Sequence, residues 1–426
     1  MQIATDRINT IIRWCEYAYV VVLLFALTQG PVLSMWFASS LVASEGAESA
    51  QLLTFAAVQI PALILLGYRR LPRSSIFGPV GLLGLFCGWM WLSTLWATLG
   101  QHTIVEATTL CVTFLTGVYL ARSFSLLEQL ILVVVAMQPG LVWSRYAIAN
   151  GWSNSVDQTG DWAGIYFNRN SLAPVAMVSF LAASTLLWIV VMRRGKKLPI
   201  TLIAILIDIA LFSAVIVFHT RSNTSVGGAL AFFGVWVFWT ITRSMTRRSI
   251  IEVDFVRRRL YPLFVGLILL FTWCAIRFQS IVLGLFGENY NFNGRLWMWR
   301  FSWTGFLDRP WLGWGWMSAW RTESFLTRDK WWAFAASDWS HSSYMDILLG
   351  GGVLAAALFV GTIVWSGYRN LDLVRTTTAG QWNFAVMFFI LSVATQESFI
   401  IGNHFLWVLL VAAVSGSITN AEQSRS

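Results

Sequence analysis

Residues 341–368 read HSSYMDILLGGGVLAAALFVGTIVWSGY: a histidine, two serines, and then an apolar run that reaches Tyr368. A helix rises about 1.5 Å per residue, so a run of this length crosses a hydrocarbon core of about 30 Å. Similar runs recur along the chain, near 17–40, 50–68, 78–98, 104–121, 126–148, 170–192, 200–218, 226–242, 260–277, 342–368, 382–400 and 402–418. In a bilayer only helices or closed barrels satisfy the backbone, and alternating strands are absent here. The expectation is therefore an all-α polytopic membrane protein of about 12 transmembrane helices.

Composition agrees. The 426 residues are 57% hydrophobic and only 12% charged, against roughly 25% charged in soluble domains. The net charge of +9 would suit nucleic acid if it were clustered on one surface, but it marks topology instead. With the N-terminus in the cytoplasm, the inner connections hold Arg69, Arg70 and Arg73, then Arg193, Arg194, Lys196 and Lys197, then Arg243, Arg247, Arg248 and Arg257 to Arg259. The short outer loops hold few basic residues, which is the positive-inside pattern, and long loops are exempt from it. The expected plan is thus helices 1–9 over 1–277, one long extracytoplasmic loop over 278–341, and helices 10–12 over 342–426. Both termini lie in the cytoplasm, and the working face lies outside an inner, cytoplasmic membrane. Cys87, Cys111 and Cys274 fall in apolar spans and Cys15 at the foot of the first, so neither a disulfide framework nor a cysteine metal site is expected.

The long loop carries NGRLWMWRFSWTGFLDRPWLGWGWMSAW over 293–320. Asn293 suits a helix cap and Arg309-Pro310 a helix end. Helical spacing puts Arg295, Trp299, Ser302 and Phe306 on one face, the pattern of a helix lying on a membrane surface. Gly313 and Gly315 predict a tight turn between tryptophans. The tryptophan density from Trp297 to Trp339 fits two readings equally, an interfacial belt or a platform on which sugar rings stack.

His341 opens a helix at the outer surface. There the helix dipole and neighbouring arginines favour a neutral imidazole, able to act as a general base, although a plain capping histidine would look the same. Arg169, Arg221 and Arg295 come from separate outer loops. Guanidinium forks bind diphosphate without a metal, whereas any one of them alone reads equally as a headgroup anchor. Asn170, Trp299, Trp314, Tyr344 and Asp338 are candidates for contacting a glycan or supporting the site. Asp208 and Asp346 lie within or near the bilayer, where carboxylates are costly; Asp346, about a turn into its helix, is expected to reach the interface. The four histidines are scattered, HExxH is missing, and no nucleotide or dinucleotide fingerprint occurs, so neither metal nor cofactor is expected.

The succession NGR, W, then F-x-x-RPWLGWGW and HSSYMDILLGGGVLAAALF resembles the signature region of the O-antigen ligase and Wzy-type polymerase superfamily. GIYFNRNSLAPVAM and HTRSNTSVGGAL resemble that superfamily's upstream arginine loops. Ser342 stands where the family commonly has Asn, and HTRSN replaces its usual SRS spelling. The resemblance implies a GT-C-like fold and inverting, metal-independent glycan transfer from a polyprenyl-diphosphate donor to a glycan or glycolipid acceptor at the bilayer. It implies His341 as the base, with Arg169, Arg221 and Arg295 holding the diphosphate. The GWGWMSAW wording resembles exopolysaccharide polymerases more than lipopolysaccharide ligases. The rival reading is a transporter or flippase of lipid-linked glycans, which would place its polar groups at the midplane.

Overall fold

The computed structural model describes residues 2–37, 45–68, 78–192, 199–248, 252, 255–263, 266, 295–326, 339–376 and 378–423. Its main helices are α1 (Gln2–Leu27), α2 (Gly30–Phe37), α3 (Glu45–Tyr68), α4 (Pro79–Leu92), α5 (Gly100–Ser123), α6 (Leu126–Ala149), α7 (Arg169–Val191), α8 (Ile200–Thr220), α9 (Asn223–Arg247), α10 (Arg295–Asp308), α11 (Ser343–Thr376), α12 (Thr378–Val393) and α13 (Phe405–Gln423). The β-pairing among the described residues is one isolated bridge, Val156 to Trp162.

Eight helices among the described residues are long and apolar enough to cross a membrane, namely α1, α3, α5 to α9 and α11; stretches in α4, α12 and α13 are apolar but shorter. Of the twelve expected spans, eight are of full membrane length among the described residues. The first span ends at Leu27 instead of running to residue 40, because Gln29 turns left-handed (φ 70°) and Pro31 follows. Proline has no N–H to give to a continuing helix. The last two spans are parted by an irregular passage from Ala394 to His404. Most of the expected ninth span, 260–277, lies outside the described residues.

The described chain divides into two compact units, one of Met1–Leu71, Leu115–Leu230 and Asn403–Ala412, the other of Pro72–Phe114, Ala231–Gly402 and Ala413–Ser426. In the first, α7 is the most enclosed span; Leu172, Ala173, Val175, Ala176, Val178, Leu181 and Ala182 are fully buried. Polar side chains link its helices: Gln138 Nε2 donates to Ser179 Oγ at 2.8 Å, and Ser213 Oγ donates to the same oxygen at 2.9 Å, joining α6, α7 and α8. The foot of α1 is tied by Arg13, which donates to Glu128 at 2.9 Å and to the Ser123 carbonyl at 2.9 Å, while Tyr119 donates to Glu16 at 2.8 Å. Asp208 lies on an exposed face of α8.

The second unit is built around an interruption of α11. Gly352 leaves helical geometry (φ 68°), which frees backbone groups that lipid cannot satisfy. The 310–315 turn satisfies them. Trp314 N donates to Leu349 O at 2.8 Å, Gly315 N donates to Gly350 O at 3.0 Å, and Val353 N donates to Pro310 O at 2.8 Å. The Trp89 indole donates to Gly351 O at 2.9 Å. A side chain at Gly352 would stand 2.3 Å from Trp311 O, and one at Gly313 2.6 Å from Leu349 O. The glycines of LGWGW and LLGGG are therefore partners in one close approach of two backbones.

Helix α10 ends just before Arg309-Pro310, as the sequence predicts, but its orientation corrects the expectation. Ser302 and Phe306, on the face assigned to the membrane surface, are buried, together with Met298 and Phe301. The opposite face exposes Trp297, Trp303 and Leu307. Aromatic contacts outweigh the polar spacing: Phe301 lies 4.6 Å from Phe325 and 5.5 Å from Trp320, centroid to centroid.

Glycine also sets the approach of α5 and α13, since a Cβ on Gly117 would fall 2.6 Å from Val411 Cβ and 2.8 Å from Val408 O. Gly88 in α4 has nothing within 4 Å of its missing Cβ. Gly117→Ala is expected to destabilise by about 1–3 kcal/mol through overpacking. Gly88→Ala is expected to be neutral or to stabilise by up to about 1 kcal/mol. Thermal unfolding of the two purified variants checks the contrast.

Candidate active site

His341 sits immediately before α11 with its backbone in the left-handed region, φ 49°. Few residues other than glycine adopt it, and such outliers cost about 1–3 kcal/mol unless the surroundings impose them. Here they do. Ser340 N donates to Asp346 Oδ1 at 2.8 Å, and Ser340 Oγ accepts from the Trp320 indole at 3.1 Å and from Ser302 at 3.0 Å. On the other side, Ser343 N donates to Ala394 O at 3.0 Å, and Ser343 Oγ accepts from Phe399 N at 3.0 Å and Ile400 N at 3.1 Å. Asp346 is buried and also accepts from Ser398. It therefore braces the loop that carries His341.

The imidazole Nδ1 lies 3.3 Å from Glu397 Oε2, and the other carboxylate oxygen pairs with Arg295. Glu397 is buried, with its side chain 9% exposed, whereas that of His341 is 31% exposed. A carboxylate only accepts, so this contact places a proton on Nδ1, and in the neutral ring the lone pair then lies on Nε2. The sequence reading missed Glu397. It stands in TQESFIIGNH, where a carboxylate inside an apolar run was a signal that intramembrane charges carry function.

A second cluster belongs to the first unit. Asp161, 1% exposed, pairs with Arg169, and its Oδ1 lies 3.5 Å from Arg221 Nε. Asn168 caps α7 by accepting from Asn170 N at 2.8 Å, and Asn170 Oδ1 accepts from Ser222 Oγ at 3.1 Å. Arg221 ends α8 in a left-handed conformation, φ 45°, which turns its side chain back toward Asp161. Ahead of it, Asp157 Oδ1 accepts from Thr159 N, Thr159 Oγ1 and Asp161 N at 2.7 to 2.9 Å. Burial pushes the Asp157 carboxyl up, but those hydrogen bonds, with Arg169 nearby, hold it below the usual carboxylate range. Asp161 was not singled out from the sequence either; its loop position gave no reason to prefer it to Asp157.

The structure thus gathers Arg295 with His341 in one unit and Arg169 with Arg221 in the other, each pair through a buried carboxylate. Of the supporting candidates, Trp314 is packed rather than presented: it is 5% exposed, and its indole donates to Gly305 O at 2.9 Å. Tyr344 donates its hydroxyl to Leu391 O at 2.8 Å. Trp299 is half-buried, and Asp338 lies outside the described residues.

These features define a helical integral membrane protein with histidine, arginine and carboxylate groups gathered in loops next to its long apolar helices. Residues 209–360 match the family model described as O-antigen ligase, which agrees with the resemblance of that stretch to the O-antigen ligase and Wzy-type superfamily. The matched region takes in Arg221, Arg295, His341 and Asp346 but leaves out Arg169 and Glu397. No curated protein and no solved structure matches the chain.

If the surrounding hydrogen bonds impose the backbone at 341, replacement there separates strain from chemistry. His341→Gly is expected to unfold at or above the wild-type temperature, whereas His341→Val, β-branched in a left-handed site, loses about 1–3 kcal/mol. Equal thermal stability of the two would count against a strained backbone.

Proposed function

We propose that the chain is a membrane glycosyltransferase that moves a glycan from a polyprenyl-diphosphate donor to an acceptor hydroxyl on the extracytoplasmic face, with inversion and without a metal. The observation that carries this reading is the Glu397-oriented imidazole of His341. Its Nε2 accepts the proton of the acceptor hydroxyl as that oxygen bonds to the anomeric carbon. The anomeric carbon–oxygen bond to the diphosphate breaks, and its electron pair leaves with the diphosphate from the opposite side. A positioned base contributes about a hundred- to ten-thousand-fold. Arg169 and Arg221 bind the diphosphate, whose charge their guanidinium forks match. Arg295 is a positioning residue, since its pairing with Glu397 holds the carboxylate that orients His341. The acceptor is a second lipid-linked glycan if the protein is a polymerase, and another glycolipid if it is a ligase.

Proteoliposomes containing the full chain, an undecaprenyl-diphosphate-linked glycan and EDTA test the reading. Wild type should extend or transfer the glycan, and His341→Ala should abolish transfer while staying folded. Glu397→Gln should lower kcat at least about tenfold with donor KM little changed, and Arg221→Ala should raise donor KM. Full activity of His341→Ala, or an absolute need for Mg²⁺, would sink the mechanism. Passage of the lipid-linked glycan across the bilayer with no change in its mass would favour the transporter instead.

A further inference from the structure

The arginine pair of the first unit has a neighbour that the mechanism does not use. His219, in the last turn of α8, is exposed, yet its ring is held firmly. It stacks on Trp162 at 4.1 Å between centroids and 18° between planes. Trp162 N donates to His219 O at 3.1 Å, the bridge from Trp162 to Val156 closes the turn beneath, and the Arg145 guanidinium lies 5.2 Å from the centre of the Trp162 ring. His219 Nδ1 is 2.9 Å from Val215 O. A carbonyl oxygen only accepts, so Nδ1 carries the proton, and the neutral ring presents an acceptor lone pair at Nε2. That atom has no partner among the described residues.

The position is specific. Arg221 follows two residues later, and Asp161, which joins Arg169 and Arg221, directly precedes Trp162. An oriented acceptor thus stands two residues from Arg221, one of two cations joined by a single carboxylate. Diphosphate oxygens only accept and do not complement it. Sugar hydroxyls donate, and do. Resting on the donor reading above, we propose that His219 Nε2 accepts a hydrogen bond from a hydroxyl of the sugar attached to the diphosphate. His219 is then a specificity-determining residue for the donor, and Trp162 is the positioning residue that fixes its plane.

The test uses purified full-length protein in nanodiscs and three probes: sugar-free undecaprenyl diphosphate, and undecaprenyl diphosphate bearing a single N-acetylglucosamine or a single galactose. His219→Phe keeps an aromatic ring on Trp162 and removes the acceptor. It should bind the sugar-free lipid as wild type does, and should bind at least one sugar-bearing lipid about three- to tenfold more weakly, the factor of one hydrogen bond. His219→Gln, whose amide oxygen can accept, should recover part of the loss. An equal loss for sugar-free and sugar-bearing lipids would place His219 on the diphosphate or in the fold and overturn the proposal. Unchanged affinity for all three probes would overturn it too. Failure of the wild type itself to bind sugar-free undecaprenyl diphosphate would overturn the donor reading, and the sugar contact with it.

Discussion

The constraint on which the second unit depends is that backbone N–H and C=O groups inside an apolar medium must be paired. Helix α11 stops being helical at Gly352, well inside its long apolar run. The freed carbonyls of Leu349, Gly350 and Gly351 and the N–H of Val353 are met by the 310–315 turn and by Trp89. That pairing anchors the Trp-rich segment, which in turn packs Trp314, Trp320, Phe301 and Phe325 into one apolar cluster. Trp320 then reaches Ser340, next to His341. The break is what lets one helix carry both an apolar span and a fixed polar loop at its start.

Buried carboxylates are the other recurring device. Glu397 accepts from Arg295 on one oxygen and faces His341 with the other, while Asp161 does the same for Arg169 and Arg221. In both places an acidic group with little exposure holds basic side chains that reach further into solvent, and removing it would leave them without fixed direction. Leaving one member of such a buried pair alone is costly, so the groups are constrained together. His341 and Arg221 both have left-handed backbones, and at His341 the hydrogen bonds of Ser340 and Ser343 impose that conformation.

Much of this was legible in the chain. Apolar length set the helical membrane class, because no other arrangement satisfies that backbone in lipid. The polar residues between those runs, His341, Arg169, Arg221 and Arg295, were legible as candidates because they stand against so uniform a background. Gly313 and Gly315 announced a tight turn, though not that it needs the glycines of LLGGG. The inward face of α10 was misread because helical spacing reports which residues align, and not which face meets protein.

The amino-acid sequence by itself determined the material of this protein: apolar helices of membrane length, glycines where backbones meet, and a short roster of cations. Only the tertiary structure decided which carboxylate each basic side chain answers to. Glu397 is 56 positions from His341 in the chain, whereas the carboxylate read from the sequence as a support for the site was Asp338, much nearer. Electrostatic pairing acts through a few ångströms of space and is indifferent to separation along the chain, so the partner is chosen by how the helices pack.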